Sequence, residues 1–493
     1  MRVTGRTYSG IINFLWAALL ILLPITSMPS IRDLLHINVI SGPSVLILAL
    51  LMAAWFLPYF CKNGNLPREM LPLIGFVLVS LIATTVAQFL DVPSYKDADM
   101  IRTSVTAFIT LLVGIGYFVL AYSRVSTSDQ LRNTLIWIYL GGLVMIIWSV
   151  MQSGMWFING RYPDWMRDFQ DVFSLGPLYR QRAAGFALEP SWLAHMLNML
   201  YLPMWLAASF SGYSVFSWRL FKKISIEMVL LAMGVLTLIL TLSRVGWITF
   251  FCMVAFLVVH WNILLVQWIQ HRFKIPRNRR IISAISITCL LVIIYLSFFI
   301  LAAYIMSRVD PRMSDLFTQG FWQLNDINRY ANALQFGERV VYWQAGWEVF
   351  SHYPILGVGL GNAGRWFTET IPAYGMNLIE VRNLLYRSGD LPNIKNLWVR
   401  LLAETGLIGF AFYCSWLSSF LIKVKSFRHS TYPHEKMAGY WGIFIIIGII
   451  FEGFSIDSFA MPYFWISAGL VLSIVNFPGS HTLTVSEDGN NDE

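Results

Sequence analysis

Long apolar runs, separated by short polar segments, recur along almost the whole chain. A membrane-spanning helix needs ~20 predominantly apolar residues, and by this criterion the pattern predicts about twelve spans. The predicted fold class is therefore an all-α integral membrane protein. The spans start near Ile11, Ser44, Met70, Ile101, Thr134, Ser191, Ile226, Val245, Ile281, Asn396, Met437 and Met461.

The seventh and eighth predicted spans, 226–242 and 245–268, are separated only by Ser243 and Arg244. One helix covering both would be much longer than a bilayer requires, so the sequence predicts a tight turn between them. No internal repeat of roughly 20–50 residues is visible. An inverted-repeat transporter architecture therefore gains no support.

Composition agrees with a membrane protein. The 493 residues are 57% hydrophobic and 13% charged, with a mean hydropathy of +0.60, whereas soluble domains carry about 25% charged residues. A net charge of +8 is typical of basic cytoplasmic loops facing anionic lipid, so no nucleic-acid partner is expected. The four cysteines show neither a disulfide framework nor zinc spacing.

Lysine and arginine collect in alternate connections, which predicts the orientation. If the N-terminus is cytoplasmic, every inner connection carries at least a pair of basic residues, as the positive-inside rule requires. Both termini then lie in the cytoplasm, and the acidic tail 477–493 is expected to be disordered. The inner connections are 61–69, 123–132, 219–223, 271–280 and 423–436.

The same orientation places segments 91–100, 157–190 and 307–395 outside the cytoplasm. The chain thus divides into spans 1–9 within 1–306, a large outer loop 307–395, and spans 10–12 within 396–476. A connection this long usually has a function or a structure of its own. Residues 338–351 have the spacing of a helix, and the loop is predicted to form a small helical cap. The apolar face of that helix is expected to comprise Val340, Trp343, Trp347 and Phe350.

The first candidate cluster on the outer face precedes the sixth span and contains Arg180, Arg182 and Glu189. Pro190 suits the first position of a helix, and Glu189 is stabilised by the positive helix end beside it. The cluster is thus either an anion-binding site or a capped helix with arginines extending into the headgroup region.

Two further arginines are candidates. Arg244 lies in the tightest turn between spans, where an ionisable side chain is by default a functional-site hypothesis, although it could simply anchor in the headgroups. Arg339 begins the cap helix. The Gly-x-Gly-x-Gly-Asn segment 357–362 that follows could cradle a phosphate, but the end of a helix is the favoured role for its glycines.

Guanidinium groups bind phosphate oxygens bidentately, remain charged, and stabilise negative charge developing on a diphosphate leaving group. These residues therefore suit transfer of a glycosyl group from a diphosphate leaving group. A metal ion could do the same, but Asp97 and Asp99 beside Lys96 and Arg102 are more simply explained as a solvated loop. No metal and no cofactor are predicted.

Together these clusters resemble the O-antigen polymerase and ligase superfamily from about Gln181 to Gly409. The matching motifs, in chain order, are Arg-Ala-Ala-Gly…Glu-Pro-Ser at 182–191, Ser-Arg at 243–244, Gly-Glu-Arg-x-x-x-Trp…Pro-x-x-Gly-x-Gly-x-Gly-Asn at 337–362, and Lys-Asn-Leu-Trp…Ala-Glu-Thr-Gly-Leu-Ile-Gly at 395–409.

The resemblance implies metal-independent chemistry at the periplasmic face of the bacterial inner membrane. It also implies an undecaprenyl-diphosphate-linked oligosaccharide as donor, membrane lipid as the surroundings, and a flippase and a chain-length regulator as pathway partners. Ligases of the family carry a histidine before the position of Asn396, followed at fixed spacing by the positions of Gly406 and Gly409. Here Lys395 replaces that histidine.

In ligases the histidine is the proposed base, because neutral imidazole accepts a proton near neutral pH. Lys395 could serve only with a lowered pKa, which neighbouring arginines would favour; otherwise it remains a cation and Glu189 or Glu338 is the base. The departure favours a polymerase over a ligase. The predicted catalytic residues are Arg244, Arg339, Lys395 and Glu189, and the predicted substrate-binding residues are Arg182, Arg180, Asn396 and Trp343.

Two other functions stay open. A transporter of lipid-linked sugars would carry charged residues along a path through its spans, but here ionisable residues collect on one side, with Glu452 and Asp457 near the outer end of the eleventh span as exceptions. A protein O-glycosyltransferase would share the chemistry and differ in its acceptor.

Overall fold

The computed structural model describes residues 2–35, 42–221, 223–309 and 336–477. This part of the chain folds into helices joined by short connections and contains no β-strand. The helices before the turn at Ser243 are α1 (Arg2–Ile21), α2 (Pro29–Leu35), α3 (Pro43–Lys62), α4 (Arg68–Ala87), α5 (Met100–Arg124), α6 (Ser128–Asn159), α7 (Asp164–Phe173), α8 (Pro190–Ser211) and α9 (Ile226–Leu240). The helices after it are α10 (Arg244–Arg272), α11 (Arg280–Val309), α12 (Gly337–His352), α13 (Phe367–Thr370), α14 (Ile379–Tyr386), α15 (Leu397–Lys425), α16 (Pro433–Glu452) and α17 (Pro462–Val475).

The predicted class, an all-α multi-pass membrane protein, is confirmed. Among the described residues, nine helices are long and apolar enough to cross a bilayer, and three shorter apolar helices accompany them. Each of the predicted span starts lies in or beside one of these helices, while the total number of spans stays a prediction. The acidic tail from residue 478 onward and residues 310–335 of the outer loop lie outside the described residues.

Small residues allow the spans to pack closely. A Cβ atom on Gly469 of α17 would lie 2.4 Å from the Phe118 carbonyl oxygen of α5, and one on Gly114 would lie 2.3 Å from Trp465 Nε1. Close backbone approach through glycine is a common basis of helix association in lipid. Around this contact Trp416 and Trp465 stack with ring centroids 5.0 Å apart, so aromatic packing fills the centre of the bundle.

The predicted turn between the seventh and eighth spans is confirmed. α9 ends at Leu240, and Leu242 adopts a left-handed conformation with φ 49°. The Ser243 hydroxyl then accepts a hydrogen bond from Gly246 N–H and caps α10. Arg244 is therefore the first residue of a helix, at the point where the chain reverses.

Helix α15 is broken at Gly406, and the glycine loop 357–362 fits into the break. Gly406 has φ 61° and ψ −168°. The interruption removes the helical partners of the Ala403 and Glu404 carbonyl groups, which accept hydrogen bonds from Val358 N–H (3.0 Å) and Gly359 N–H (2.9 Å) instead. In return, the carbonyl groups of residues 354 and 355 accept bonds from the N–H groups of residues 407 and 408.

This exchange of hydrogen bonds explains why the loop 357–362 contains glycine. Gly357, Gly359 and Gly361 all have positive φ, and a Cβ on Gly357 would lie 2.5 Å from the Ala403 carbonyl oxygen. Only glycine allows such conformations together with so close an approach. The loop is a backbone partner of α15, and two of its amide groups that a phosphate cradle would require are already bonded.

The cap helix α12 spans Gly337–His352, which confirms the predicted helix, but the predicted apolar face is wrong. The buried side chains are Val341, Tyr342, Ala345 and Val349, whereas Trp347 is 52% exposed. Apolar residues surround this helix on every side, so periodicity alone could not identify the face. Packing against Phe367 and Val381 of the cap decides it.

We expect Gly406→Ala to lower the free energy of unfolding by about 2 kcal/mol or more, because φ and ψ at this position are essentially restricted to glycine. The new Cβ would also meet the Ile355 carbonyl oxygen at 2.2 Å. Thermal unfolding of the detergent-solubilised protein measures the change.

Gly154→Ala is the matched control. A Cβ at Gly154 in α6 would meet nothing within 4 Å, so this change should be neutral or stabilising, since alanine favours helix. Equal stability of the two variants would contradict the proposed role of the break.

Candidate active site

The segment before α8 is held by two buried glutamines. Gln152 Oε1 accepts hydrogen bonds from the N–H groups of Ala184 (3.1 Å) and Gly185 (2.9 Å). Gln170 Nε2 donates to the Gly185 carbonyl oxygen at 3.1 Å. Because buried polar groups need partners, this network fixes the backbone that carries the motif containing Arg182.

Arg182 lies beside the turn that leads into Arg244. Its Nε donates to the Thr241 carbonyl oxygen at 3.0 Å, and Ala183 N–H donates to the Leu240 carbonyl oxygen at 2.9 Å. The end of α9 thus brings Arg182 and Arg244 to the same end of the bundle. Arg180, two residues earlier, is exposed.

Glu189 precedes α8, and Pro190 occupies the first helical position, as predicted. The Glu189 side chain is exposed and accepts a hydrogen bond from the Ser191 hydroxyl at 3.1 Å. Its carboxylate acts electrostatically on Arg339 and raises the pKa of that guanidinium.

Arg339 in α12 is partly buried and binds the turn that follows α16. Its Nη1 donates to the carbonyl oxygen and to the hydroxyl of Ser455, both at 3.0 Å. Burial lowers the pKa of the guanidinium, and surrounding carboxylates partly offset this effect. Arginine stays charged at working pH even so. The carboxylates are those of Glu189, Glu380, Asp457 and Glu452.

A buried polar cluster lies behind these arginines. Glu452 is fully buried at the end of α16; its Oε2 lies 2.6 Å from His195 Nδ1, and its Oε1 accepts from Asn198 Nδ2 at 2.5 Å. Asn198 Nδ2 also donates to the Gly246 carbonyl oxygen at 2.8 Å. Glu452 therefore connects α16 with α8, and Asn198 connects the cluster with the first turn of α10. The helix of Glu452 leads into the turn that binds Arg339.

Lys395 contacts a carboxylate and an aromatic ring. Its Nζ lies 2.7 Å from Glu380 Oε1 and 5.0 Å from the centroid of the Tyr342 ring. The first contact has the geometry of an ion pair and the second that of a cation–π interaction. The backbone N–H of Lys395 donates to Asp457 Oδ2 at 2.9 Å. These contacts favour a charged role for Lys395 over a role as a base.

Asn396 has a clear structural task. Its buried side chain accepts hydrogen bonds from Trp398 N–H (2.9 Å) and Val399 N–H (3.1 Å), and so caps α15. The oxygen of Asn396 is thus already used within the fold. Trp343, the other aromatic candidate, packs between Phe336 and Phe454 and donates to the Lys395 carbonyl oxygen at 3.4 Å.

Arg400 was not among the residues predicted from the sequence, although it binds the same turn after α16 as Arg339 and Lys395. Its Nε lies 2.9 Å from Glu404 Oε2, its Nη1 donates to the Asp457 carbonyl oxygen, and its guanidinium lies 4.7 Å from the Phe459 ring. His195 and Asn198 were also not predicted from the sequence. Polar side chains inside the apolar sixth span were the available signal, because such residues are usually functional or structural in a membrane.

Within the described parts of the chain, no group of three or more histidine, cysteine or acidic residues could hold a metal ion. Asp99 caps α5, with Oδ1 accepting from Ile101 N–H at 3.1 Å. Asp99 thus has a structural role as a helix cap, and independence from metals stays a prediction.

Comparison with known proteins identifies part of the chain. Residues 228–414 match the O-antigen ligase family. This match confirms the predicted relationship to the O-antigen polymerase and ligase superfamily. The matched segment contains Arg244, Arg339, Lys395 and Asn396, whereas Glu189 precedes it. No curated protein matches the chain.

We expect Glu452→Ala to lower the free energy of unfolding by about 3 kcal/mol, because it leaves the buried His195 without its partner and removes one of the two acceptors of Asn198 Nδ2. Combined with His195→Ala in a double-mutant cycle, it should show a coupling energy of about 1 kcal/mol or more. Chemical unfolding of the four proteins in detergent measures both quantities.

Glu435 provides the control. It is buried at the other end of α16 and accepts from the Ser430 hydroxyl at 2.6 Å. Glu435→Ala should also destabilise the protein but should show no coupling to His195→Ala. Equal coupling for both glutamates would contradict the cluster as described.

Proposed function

We propose that this protein polymerises lipid-diphosphate-linked oligosaccharide repeat units of an O antigen, capsule or exopolysaccharide. It would transfer the growing glycan from one undecaprenyl diphosphate carrier to a repeat unit on another, at the periplasmic face of the inner membrane. Both termini would be cytoplasmic, in agreement with the basic connections.

The main support is the group of cations Arg244, Arg339 and Lys395. All three lie within residues 228–414, which match the O-antigen ligase family. Arg339 is the clearest member. Its side chain donates hydrogen bonds to the neutral oxygen atoms of Ser455, and within the described residues no carboxylate forms an ion pair with it. A partly buried guanidinium with that environment retains its attraction for an anion such as a diphosphate.

In the proposed reaction, Arg244, Arg339 and Arg182 bind the diphosphate of the donor. The bond from the anomeric carbon to the phosphate oxygen breaks, and the arginines stabilise the charge left on the lipid diphosphate. The acceptor hydroxyl oxygen forms the new bond to the anomeric carbon. Its proton passes to the Glu189 carboxylate, which is exposed and near enough to Arg339 to act on its charge.

Lys395 assists as a charged residue. Its ion pair with Glu380 at 2.7 Å holds the side chain beside Tyr342, where it can contact a phosphate or a sugar hydroxyl. Arg180, Asn396 and Trp343 would contribute to the binding of the glycan. A flippase supplying lipid-linked units and a chain-length regulator are the expected pathway partners.

A ligase is the second candidate, because the matching family is itself described as O-antigen ligase. Such an enzyme would transfer the glycan to lipid A-core or to a protein. The absence of the ligase histidine at Lys395 favours polymerisation. A transporter is the third candidate and the least supported, since residues 228–414 match a ligase family.

One assay separates these functions. The purified protein is incubated with a lipid-diphosphate oligosaccharide alone, and the products are resolved by gel. We expect a ladder of multiples of the repeat unit. Product that forms only after lipid A-core or protein is added would identify a ligase, and no transfer to any acceptor would contradict the enzymatic function.

Arg244→Ala and Arg339→Ala should each reduce transfer by about 100-fold or more, as the loss of one transition-state donor typically does. The initial rate of ladder formation measures this. Arg387→Ala is the control, because Arg387 lies exposed in the same cap and should be dispensable. Wild-type rates in either site variant would refute the assignment.

Lys395→Arg distinguishes a cation from a base. Arginine keeps the charge but cannot be deprotonated in proteins, so we expect activity within about 3-fold of wild type, whereas Lys395→Met should lose about 10-fold or more. Rates are measured as above. Inactivity of the arginine variant combined with activity of Lys395→His would instead identify a base.

A further inference from the structure

A second site candidate lies at the opposite end of the bundle, between α1 and the first turns of α6. There the surface contains a groove of about 840 Å³, within the range of ~300–1,000 Å³ that small-molecule sites occupy. Trp16 and Thr134 line the groove and are joined by a buried hydrogen bond from Trp16 Nε1 to Thr134 Oγ1 at 3.0 Å. Neither the family match nor the proposed transfer reaction involves this region.

The groove is polar at one end and apolar at the other. Ser9, Asn13 and Asn133 surround Arg124 at the polar end, and Ile21 and Leu22 line the apolar end. From Ser9 to Leu22 helix α1 rises about 20 Å. One leaflet of the hydrocarbon core is about half of ~30 Å thick, so the groove has the length of a lipid headgroup together with much of one acyl chain.

The polar end carries the positive charge of Arg124, which forms no ion pair with a side chain in the described parts of the chain. Arg124 Nη2 donates to Asn13 Oδ1, the guanidinium lies 5.4 Å from the Trp55 ring, and the buried Nε–H has no acceptor within the described residues. None of the described side chains lining the groove is acidic. A desolvated guanidinium in this setting favours a negatively charged ligand such as a phosphodiester.

The apolar end of the groove has room for an acyl chain. The small residues Ala17 and Ala18 line it on α1, and the neighbouring Phe14 is 71% exposed. A groove along the outside of a transmembrane helix opens towards the bilayer, where acyl chains are the available apolar groups.

We propose that this groove binds one anionic phospholipid, with its phosphate on Arg124 and an acyl chain over Ala17 and Ala18. The lipid would come from the leaflet next to the basic connections. A phosphatidylcholine would bind more weakly, because its own ammonium group cancels the charge that Arg124 attracts.

Native mass spectrometry of the full-length protein in detergent tests the proposal. Palmitoyl-oleoyl phosphatidylglycerol and phosphatidylcholine, which share their acyl chains, are titrated separately. We expect the wild-type protein to bind the first about 10-fold more tightly, which is the effect of one charge-assisted contact. Equal binding of the two lipids would overturn the role of the charge.

Three variants complete the test. Arg124→Gln should lose the preference, while Arg68→Gln, an equal charge change at an exposed residue on the same side, should keep it. Ala18→Phe fills the apolar end of the groove and leaves Arg124 unchanged, so it should weaken the binding of both lipids. Retention of the lipid preference in Arg124→Gln, or unchanged binding in Ala18→Phe, would refute the site.

A competition experiment distinguishes binding of a whole lipid from binding of a phosphate group alone. Glycerol 3-phosphate has the charged group without the chain, so it should not displace the bound phosphatidylglycerol. Displacement at concentrations comparable with those of the lipid would show that the groove recognises phosphate alone and would refute the lipid assignment.

Discussion

The turn that follows Glu452 provides oxygen atoms to two separate segments of the chain. Helix α12 of the cap binds there, and so do residues 395–400, which lead into and begin α15, so this turn determines where Arg339 and Arg400 lie. Glu452 fixes the start of the turn by its bonds to α8. The bonds made to the turn come from Arg339 to Ser455, from the Lys395 N–H to Asp457, from the Leu397 N–H to Gly453, and from Arg400 to Asp457.

A membrane makes such contacts unusually important. Unpaired polar groups are costly away from water, so each buried carboxylate or broken helix must find its partners within the protein. Here the partners come from distant parts of the sequence, as with His195 and Glu452 or the glycine loop and α15. The positions of the arginines are consequently tied to the integrity of the bundle, and the cap is held by backbone bonds as well as by apolar packing.

Much of this fold could be predicted from local sequence. Apolar length located the helices, Ser243 and Arg244 located the turn, and Pro190 located the start of α8, because each signal lies within a few neighbouring residues. The buried face of α12 could not be predicted, since apolar residues occur on all of its sides. The partnership of His195 with Glu452 was also out of reach, because those residues are far apart in the chain and only the packing of α8 against α16 brings them together. Among the site candidates, the sequence located Arg182, Arg244 and Arg339 at one end of the bundle but could not distinguish a capping residue such as Asn396 from a ligand-binding one.

The exchange of backbone bonds at Gly406 limits how the outer loop can move. Val358 and Gly359 donate to α15, and residues 407 and 408 of α15 donate back. Lifting this part of the loop as a hinged lid would leave all of these groups unpaired in an apolar environment. Any displacement of the cap that keeps these bonds must therefore hinge outside residues 354–359 and 403–408.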